Sequence, residues 1–168
     1  MKSRGFTFIE VLISIGIIAV LLVTVVSLYF ALAHARMKQQ VIAEVEEQGQ
    51  TAMTLLLNTV RNAHSVTSPT PGTSANSLTL VTYATSTTPT VFSVSASTLF
   101  IVEDNGLAIA LTSPHVVLSN LTFQNLSNTN TLGSLRVQFT LSYASSTRQD
   151  SNYSTVFYGA ATVRRVTR

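Results

Sequence analysis

The sequence predicts an α+β protein in which one long N-terminal helix is followed by a body of antiparallel strands. No proline occurs before Pro69, and apolar residues keep a helical spacing well beyond the apolar run that begins at Phe6. From Ser77 onwards, apolar and polar residues alternate with the period of two that is typical of half-buried strands. An amphipathic helix and one-sided strands each need a partner for the apolar face, so we expect the helix to pack on the strands.

The first element is a helix predicted from about Phe6 to about His64. Its first half is an uncharged, mostly apolar run from Val11 to Ala33. From Phe6 to Ala33 a helix would be about 42 Å long, and the hydrocarbon core of a bilayer is about 30 Å thick. The second half carries one apolar stripe, which we expect to be buried on the strands. The stripe consists of Ile42, Val45, Met53, Leu56, Leu57 and Val60.

Glycines interrupt both halves of this helix, at Gly16 and Gly49. Each glycine costs about 1 kcal/mol relative to alanine in a helix interior. Tolerated flexibility and a hinge are both compatible with the pattern.

A Ser/Thr/Pro/Gly-rich segment at Val66–Asn76 is predicted to end the helix as a loop. A turn is predicted at Glu103–Gly106, with Gly106 supplying a positive φ. The acidic residues of this turn could also be interpreted as a calcium site, but one short turn lacks the six or more oxygens that calcium takes. The predicted strands are 77–84, 90–94, 98–102, 107–111, 121–124, 135–143 and 156–163.

The composition excludes several classes of function. The chain has 168 residues and no cysteine, which excludes disulfides, thiolate metal sites and cysteine nucleophiles. Charged residues make up 10% of the chain, and the net charge of +3 is too small and scattered to indicate a nucleic-acid partner. His34, His64 and His115 lie in no ligand or catalytic spacing, so we predict no metal, no cofactor and no enzyme activity.

A carboxylate at Glu10, inside the apolar segment, narrows the possible roles of that segment. On insertion scales it costs about 2.5–3.5 kcal/mol, so a functional reason is expected. A secretory signal peptide is disfavoured because its apolar region is only about 7–15 residues long. A plain transmembrane anchor fits the length, but it would leave Glu10 only the role of a helix-start carboxylate favoured by the helix dipole.

The N-terminal residues supply a third interpretation. Lys2-Ser3-Arg4-Gly5 followed by Phe6-Thr7-Phe8-Ile9-Glu10 resembles the leader and mature start of type IV prepilins and pseudopilins. The resemblance implies that prepilin peptidase cuts between Gly5 and Phe6, that Phe6 is N-methylated, and that Glu10 acts in assembly. It also implies that the leader lies inside and the body outside, a choice that the flanking basic residues do not settle.

The same resemblance gives a domain organisation. Residues 1–5 form the leader, and 6–35 form the transmembrane and assembly half of the helix. The amphipathic half follows at 36–66, and a β-rich globular head occupies 67–168.

Weaker similarities extend into the second half of the helix and beyond. Gln48–Met53 and Val60–Ala63 look like the helix end of J-type minor pseudopilins and W-type minor pilins. Residues 111–114, 121–123 and 163–164 are similar to the same proteins. The chain lacks the C-terminal cysteine pair of many pilins, and Ser27 stands where many major pilins have a proline.

These similarities imply a structural, minor subunit of a type IV pilus or a type II secretion pseudopilus. The chain would enter the inner membrane as a single-pass precursor and end in a periplasmic or extracellular filament. Its partners would be other pilins, prepilin peptidase and an inner-membrane assembly platform. The alternative is a membrane-anchored adhesin or DNA-uptake tip pilin that acts as a binding module. An anchored hydrolase is a third candidate, which no G-x-S-x-G motif supports.

Overall fold

A computed structural model describes residues 7–82, 89–128, 133–144 and 152–164. A single helix, α1 (Phe8–Asn62), leads the chain. It ends before the predicted His64 because the backbone N–H of His64 donates to the carbonyl of Val81, at 2.6 Å, and so turns the chain into a sheet. The chain divides into two compact units, one ending at Gln40 and one beginning at Val41.

Nine strands follow the helix within the described part of the chain. They form a five-stranded sheet in the order β1-β3-β4-β5-β6 and a four-stranded sheet in the order β2-β7-β8-β9, with every neighbouring pair antiparallel. The α+β prediction is therefore confirmed, although the sheets number two. The strands are β1 (Ser65–Ser68), β2 (Ser74–Ala75), β3 (Leu78–Val81), β4 (Thr90–Ser95), β5 (Thr98–Val102), β6 (Ile109–Ala110), β7 (Val116–Asn125), β8 (Ser134–Tyr143) and β9 (Ser154–Thr162).

Several predictions for the segments after the helix differ from the structure. The strand predicted at 77–84 is the shorter β3, and residues 83–84 lie outside the described residues. The segment predicted as a loop after the helix contains β1 and β2. The predicted strand at 107–111 shrinks to the two residues of β6, and Leu107 is 90% exposed. Strand β7 begins at Val116 rather than Leu121, because the positive φ of Asn120 (53°) marks an irregularity that shifts its register with β8 and breaks the alternation on which the prediction relied.

The core of the C-terminal unit is the predicted helix stripe together with one face of each sheet. Val45, Leu56 and Val60 are completely buried, whereas Ile42 and Leu57 at the margins of the stripe are half-buried. On the sheet side, burial alternates along β8, so that its odd-numbered residues face the core and its even-numbered residues face outward. The largest fully buried side chains from the sheets are Leu78, Leu80, Phe92, Leu99, Phe123, Leu135, Val137, Phe139 and Leu141.

Gly49 is buried at a close approach between α1 and β9. A Cβ added there would lie 2.0 Å from the ring of Phe157, which stacks on Phe139 with ring centroids 5.3 Å apart. A similar approach occurs at Gly159, where a Cβ would lie 2.5 Å from the sulfur of Met53. Gly49 therefore has a packing role: a larger residue would collide with Phe157, and this explains the glycine without a hinge or tolerated flexibility.

The turn between β5 and β6 forms where it was predicted, with a different residue assignment. The N–H of Gly106 donates to the carbonyl of Glu103 at 2.8 Å, and the two residues with positive φ are Asp104 (51°) and Asn105 (56°). These angles are those of a primed hairpin turn, in which both central residues are left-handed. The prediction that Gly106 supplies the positive φ was wrong, since Asp and Asn tolerate this conformation.

Candidate assembly site

The helix begins at a threonine cap just ahead of Glu10. The carbonyl of Thr7 accepts hydrogen bonds from the N–H groups of Glu10 and Val11, at 3.0 and 3.3 Å. Glu10 therefore lies in the first turn of α1, where the helix dipole favours a carboxylate. Gly5 and Phe6 lie outside the described residues, so cleavage and methylation at this bond stay predictions.

Glu10 is the one charged residue between Phe8 and Ala33. Every residue from Thr7 to Leu32 is exposed, so the apolar side chains of this segment are uncovered on all sides of the helix. The carboxylate of Glu10 has no hydrogen-bond or ion-pair partner within the described ranges. A helix that is apolar all round belongs in lipid or among other helices, and there an isolated carboxylate needs a partner.

Three hydroxyl groups inside the same segment have no such need. Ser14, Thr24 and Ser27 each donate to a carbonyl of the preceding helical turn, at 2.8 Å. In a medium without water these bonds satisfy the hydroxyl donors inside the helix itself. At Ser27, where many major pilins have a proline, α1 continues without a break.

Aromatic and basic residues mark the end of the apolar run. Tyr29 and Phe30 contact each other edge to face, with ring centroids 6.1 Å apart, and Arg36 and Lys38 follow. From Phe8 to Phe30 the helix rises about 33 Å, close to the roughly 30 Å hydrocarbon core. Aromatic rings are typical of the membrane–water boundary. By length and composition α1 could cross a membrane.

A comparison with known protein families identifies the segment that contains Glu10. Residues 1–26 match the prokaryotic N-terminal methylation motif. The methylation motif supports a type IV prepilin-like precursor, and it spans Gly5, Phe6 and Glu10 together. It ends within the apolar run, so it does not distinguish J-type or W-type minor subunits. No curated protein and no solved structure shows significant similarity to the chain.

A second set of contacts attaches the amphipathic part of α1 to the strands. The hydroxyl of Tyr153 donates to Glu46 Oε1 at 2.9 Å, and Gln48 Oε1 accepts from the N–H of Ser113 at 3.3 Å. The hydrogen bond to Glu46 raises the pKa of Tyr153 above its ordinary value, with smaller contributions from burial and from the charge of Glu46. Sequence reasoning missed these contacts because they join residues far apart in the chain, and no local pattern marks them.

The histidines do not form a site. His34, His64 and His115 are all exposed. Across the described ranges no three His, Asp or Glu side chains come together in a way that could hold a metal ion.

Proposed function

We propose that this chain is a prepilin-like precursor that is cut between Gly5 and Phe6, N-methylated at Phe6, and assembled into a filament through α1. The observation that carries the proposal is the carboxylate of Glu10. Among the described residues this charge has no partner, whereas the hydroxyl groups of Ser14, Thr24 and Ser27 in the same apolar segment bond to their own helix, and Glu10 lies within the methylation motif.

The energetic argument starts from the cost of Glu10 in lipid, about 2.5–3.5 kcal/mol. The helix dipole offsets less than about 1 kcal/mol of this cost. Cutting after Gly5 would create a free amine on Phe6, about one helical turn from Glu10. That cation, from the same chain or from the adjoining subunit, would pair with the carboxylate and favour incorporation while the exposed apolar faces of the helices bundle.

The proposed setting follows from the same helix. The precursor crosses the inner membrane once, with the leader inside and the C-terminal unit outside, and prepilin peptidase and an assembly platform act on it there. The filament is a type IV pilus or a type II secretion pseudopilus. A minor position is favoured by the similarities at Gln48–Met53 and by Ser27 in place of a proline.

The experiment compares wild type with Glu10→Val and Glu10→Gln in cells that assemble the filament. The readouts are the intact mass of the membrane-extracted protein and the fraction that crosslinks to other pilins or co-purifies with sheared filaments. We expect both variants to be inserted and cut normally but incorporated less. Ser14→Val is the matched control, because it lies one turn further along α1 and its hydroxyl bonds only to its own helix.

Unchanged incorporation of both Glu10 variants would refute the pairing and leave Glu10 as a helix-start carboxylate. A mature protein that still begins at Met1 would refute the processing step. Because mass and incorporation are measured separately, the two parts of the proposal fail independently.

A further inference from the structure

The four edges of the two sheets differ in how they are protected. Strands β2 and β6 are two residues long, and β1 has a register shift between Val66 and Ser68 and is followed by Pro69. Short, irregular or proline-flanked edges resist the addition of another strand. Strand β9 has nine residues, no proline, no charged residue and an unbroken register with β8. Among the strands that the structure describes, it is the one edge strand without these protections.

Hydrogen bonds at both ends of β9 show which of its backbone groups are free. The bonds from Tyr143 N–H to Tyr153 carbonyl (3.0 Å) and from Val163 N–H to Gly133 carbonyl (2.8 Å) place the odd-numbered residues of β9 toward β8. The even-numbered residues point the other way. Arg164 N–H, the next in that series, donates to the carbonyl of Arg61 at 3.1 Å. From Ser154 to Thr162, the outward-pointing N–H and C=O groups of β9 form no backbone hydrogen bond with any described residue.

The outer face beside this edge offers apolar surface and one cation. Tyr158 is 67% exposed and Val156 is 41% exposed. An open depression of about 360 Å³ is lined by Arg136, Gln138, Tyr158, Gly159 and Ala160. Arg136 lies directly across from Ala160 in the β8–β9 ladder and is exposed, with no acidic partner in the part of the chain that the structure describes. The small side chain of Ala160 leaves the guanidinium room to reach beyond the edge.

We propose that the free edge of β9 binds an extended segment of another protein as an added strand, with an acidic side chain of that segment pairing with Arg136 across Ala160. Backbone hydrogen bonds to the outward groups of β9 supply the affinity, and side chains on alternate positions supply the specificity. The charge of Arg136 favours this occupant over a second copy of the chain, because β9 carries no acidic residue that could reach it. The proposal does not depend on the proposed function.

The first test asks whether the backbone edge is used, with the full chain in detergent micelles. The probe is a fluorescent, end-blocked nine-residue peptide of alternating Thr and Val with a central Asp, and binding is followed by anisotropy. Val156→Pro removes an N–H that points away from β8, so the ladder with β8 is preserved. We expect this variant to bind the peptide at least about tenfold more weakly. Val156→Thr, which keeps the N–H, should bind like wild type.

The second test asks whether Arg136 makes the site prefer an acidic peptide over a basic one. Wild type should prefer the Asp peptide over a matched Lys peptide by about threefold, as expected for an exposed ion pair. Arg136→Gln should lose the preference, and Arg136→Glu should reverse it. A merely structural role of Arg136 would not reverse a preference between two probes.

Probe chemistry keeps the proposal testable if Val156→Pro fails to fold. A peptide with an N-methyl group on every amide has no N–H on either edge, so it cannot form the sheet ladder, and it should not bind wild type. Equal binding of the methylated and unmethylated peptides would overturn the proposal. So would a concentration-dependent dimer of the full chain that Val156→Pro abolishes while no peptide binds, because the edge would then belong to a second copy.

Discussion

Replacing Gly49 with alanine tests the packing of α1 against β9, because two effects of known size oppose each other there. In a helix interior, alanine is favoured over glycine by about 1 kcal/mol. At this position the new Cβ would lie 2.0–2.6 Å from three ring carbons of Phe157. The ring cannot move without leaving its stacked contact with the buried Phe139, and overpacking of this kind costs about 1–3 kcal/mol.

The balance predicts that Gly49→Ala lowers the free energy of unfolding by about 1 kcal/mol, or roughly 4 °C in Tm. In a Phe157→Ala background the obstacle is gone, so the same change should raise stability by about 1 kcal/mol. The prediction is therefore a change of sign, and the two substitutions should be coupled by about 2 kcal/mol.

The assay is thermal and urea unfolding of a fragment that begins at Met37, followed by circular dichroism. We expect this fragment to fold alone with a cooperative transition, since the compact unit from Val41 onwards contains the helix stripe and both sheets. In the full chain in micelles, Gly16→Ala is the matched control, because nothing lies within 4 Å of a Cβ at Gly16. If Gly49→Ala stabilises both backgrounds equally, the packing explanation of this glycine is wrong.

Three further predictions concern the core, a hydrogen bond and the leader. Leu56→Asp should cost more than about 3 kcal/mol and abolish the cooperative melt, because it buries an unpaired charge, whereas Leu55→Asp on the exposed side of the helix should change stability by about 0.5 kcal/mol or less. The hydrogen bond to Glu46 raises the pKa of Tyr153 above its ordinary value of about 10. The stability that this hydrogen bond gives the folded protein is therefore complete below about pH 10 and is lost as the pH rises past the raised pKa. Tyr153→Phe should remove this alkaline loss from urea titrations; an identical alkaline loss in the two proteins would contradict it. Gly5→Arg should leave the precursor uncut, because a side chain would crowd a site that takes glycine, and the intact mass shows the outcome.

Local periodicity was sufficient for the helix and for the central strands. The stripe of Val45, Leu56 and Val60 was predicted from spacing alone and is completely buried. Strands β4, β5 and β8 lie within about one residue of their predicted bounds, because one face of each is covered and the other is not. Periodicity failed at β7, where the irregularity at Asn120 changes the face that each residue presents.

For the candidate assembly site too, one part could be predicted from the sequence and another part needed the structure. An isolated carboxylate in an apolar run is conspicuous in the sequence, so Glu10 was found without a structure. The hydroxyl groups of Ser14, Thr24 and Ser27 bond within their own helix, but only the structure shows these bonds and shows that no other described residue pairs with the Glu10 carboxylate.

By itself the sequence determined that a long helix precedes a body of strands and that one carboxylate, Glu10, lies in an apolar segment, because both depend on residues within a few positions of each other. The tertiary structure decided which residues from distant segments meet: Gly49 with Phe157, Glu46 with Tyr153, and Arg136 beside an open strand edge. Such meetings depend on strand order, register and the division into two sheets. Those features are set by the combined packing of all the apolar faces, which no single window of sequence contains.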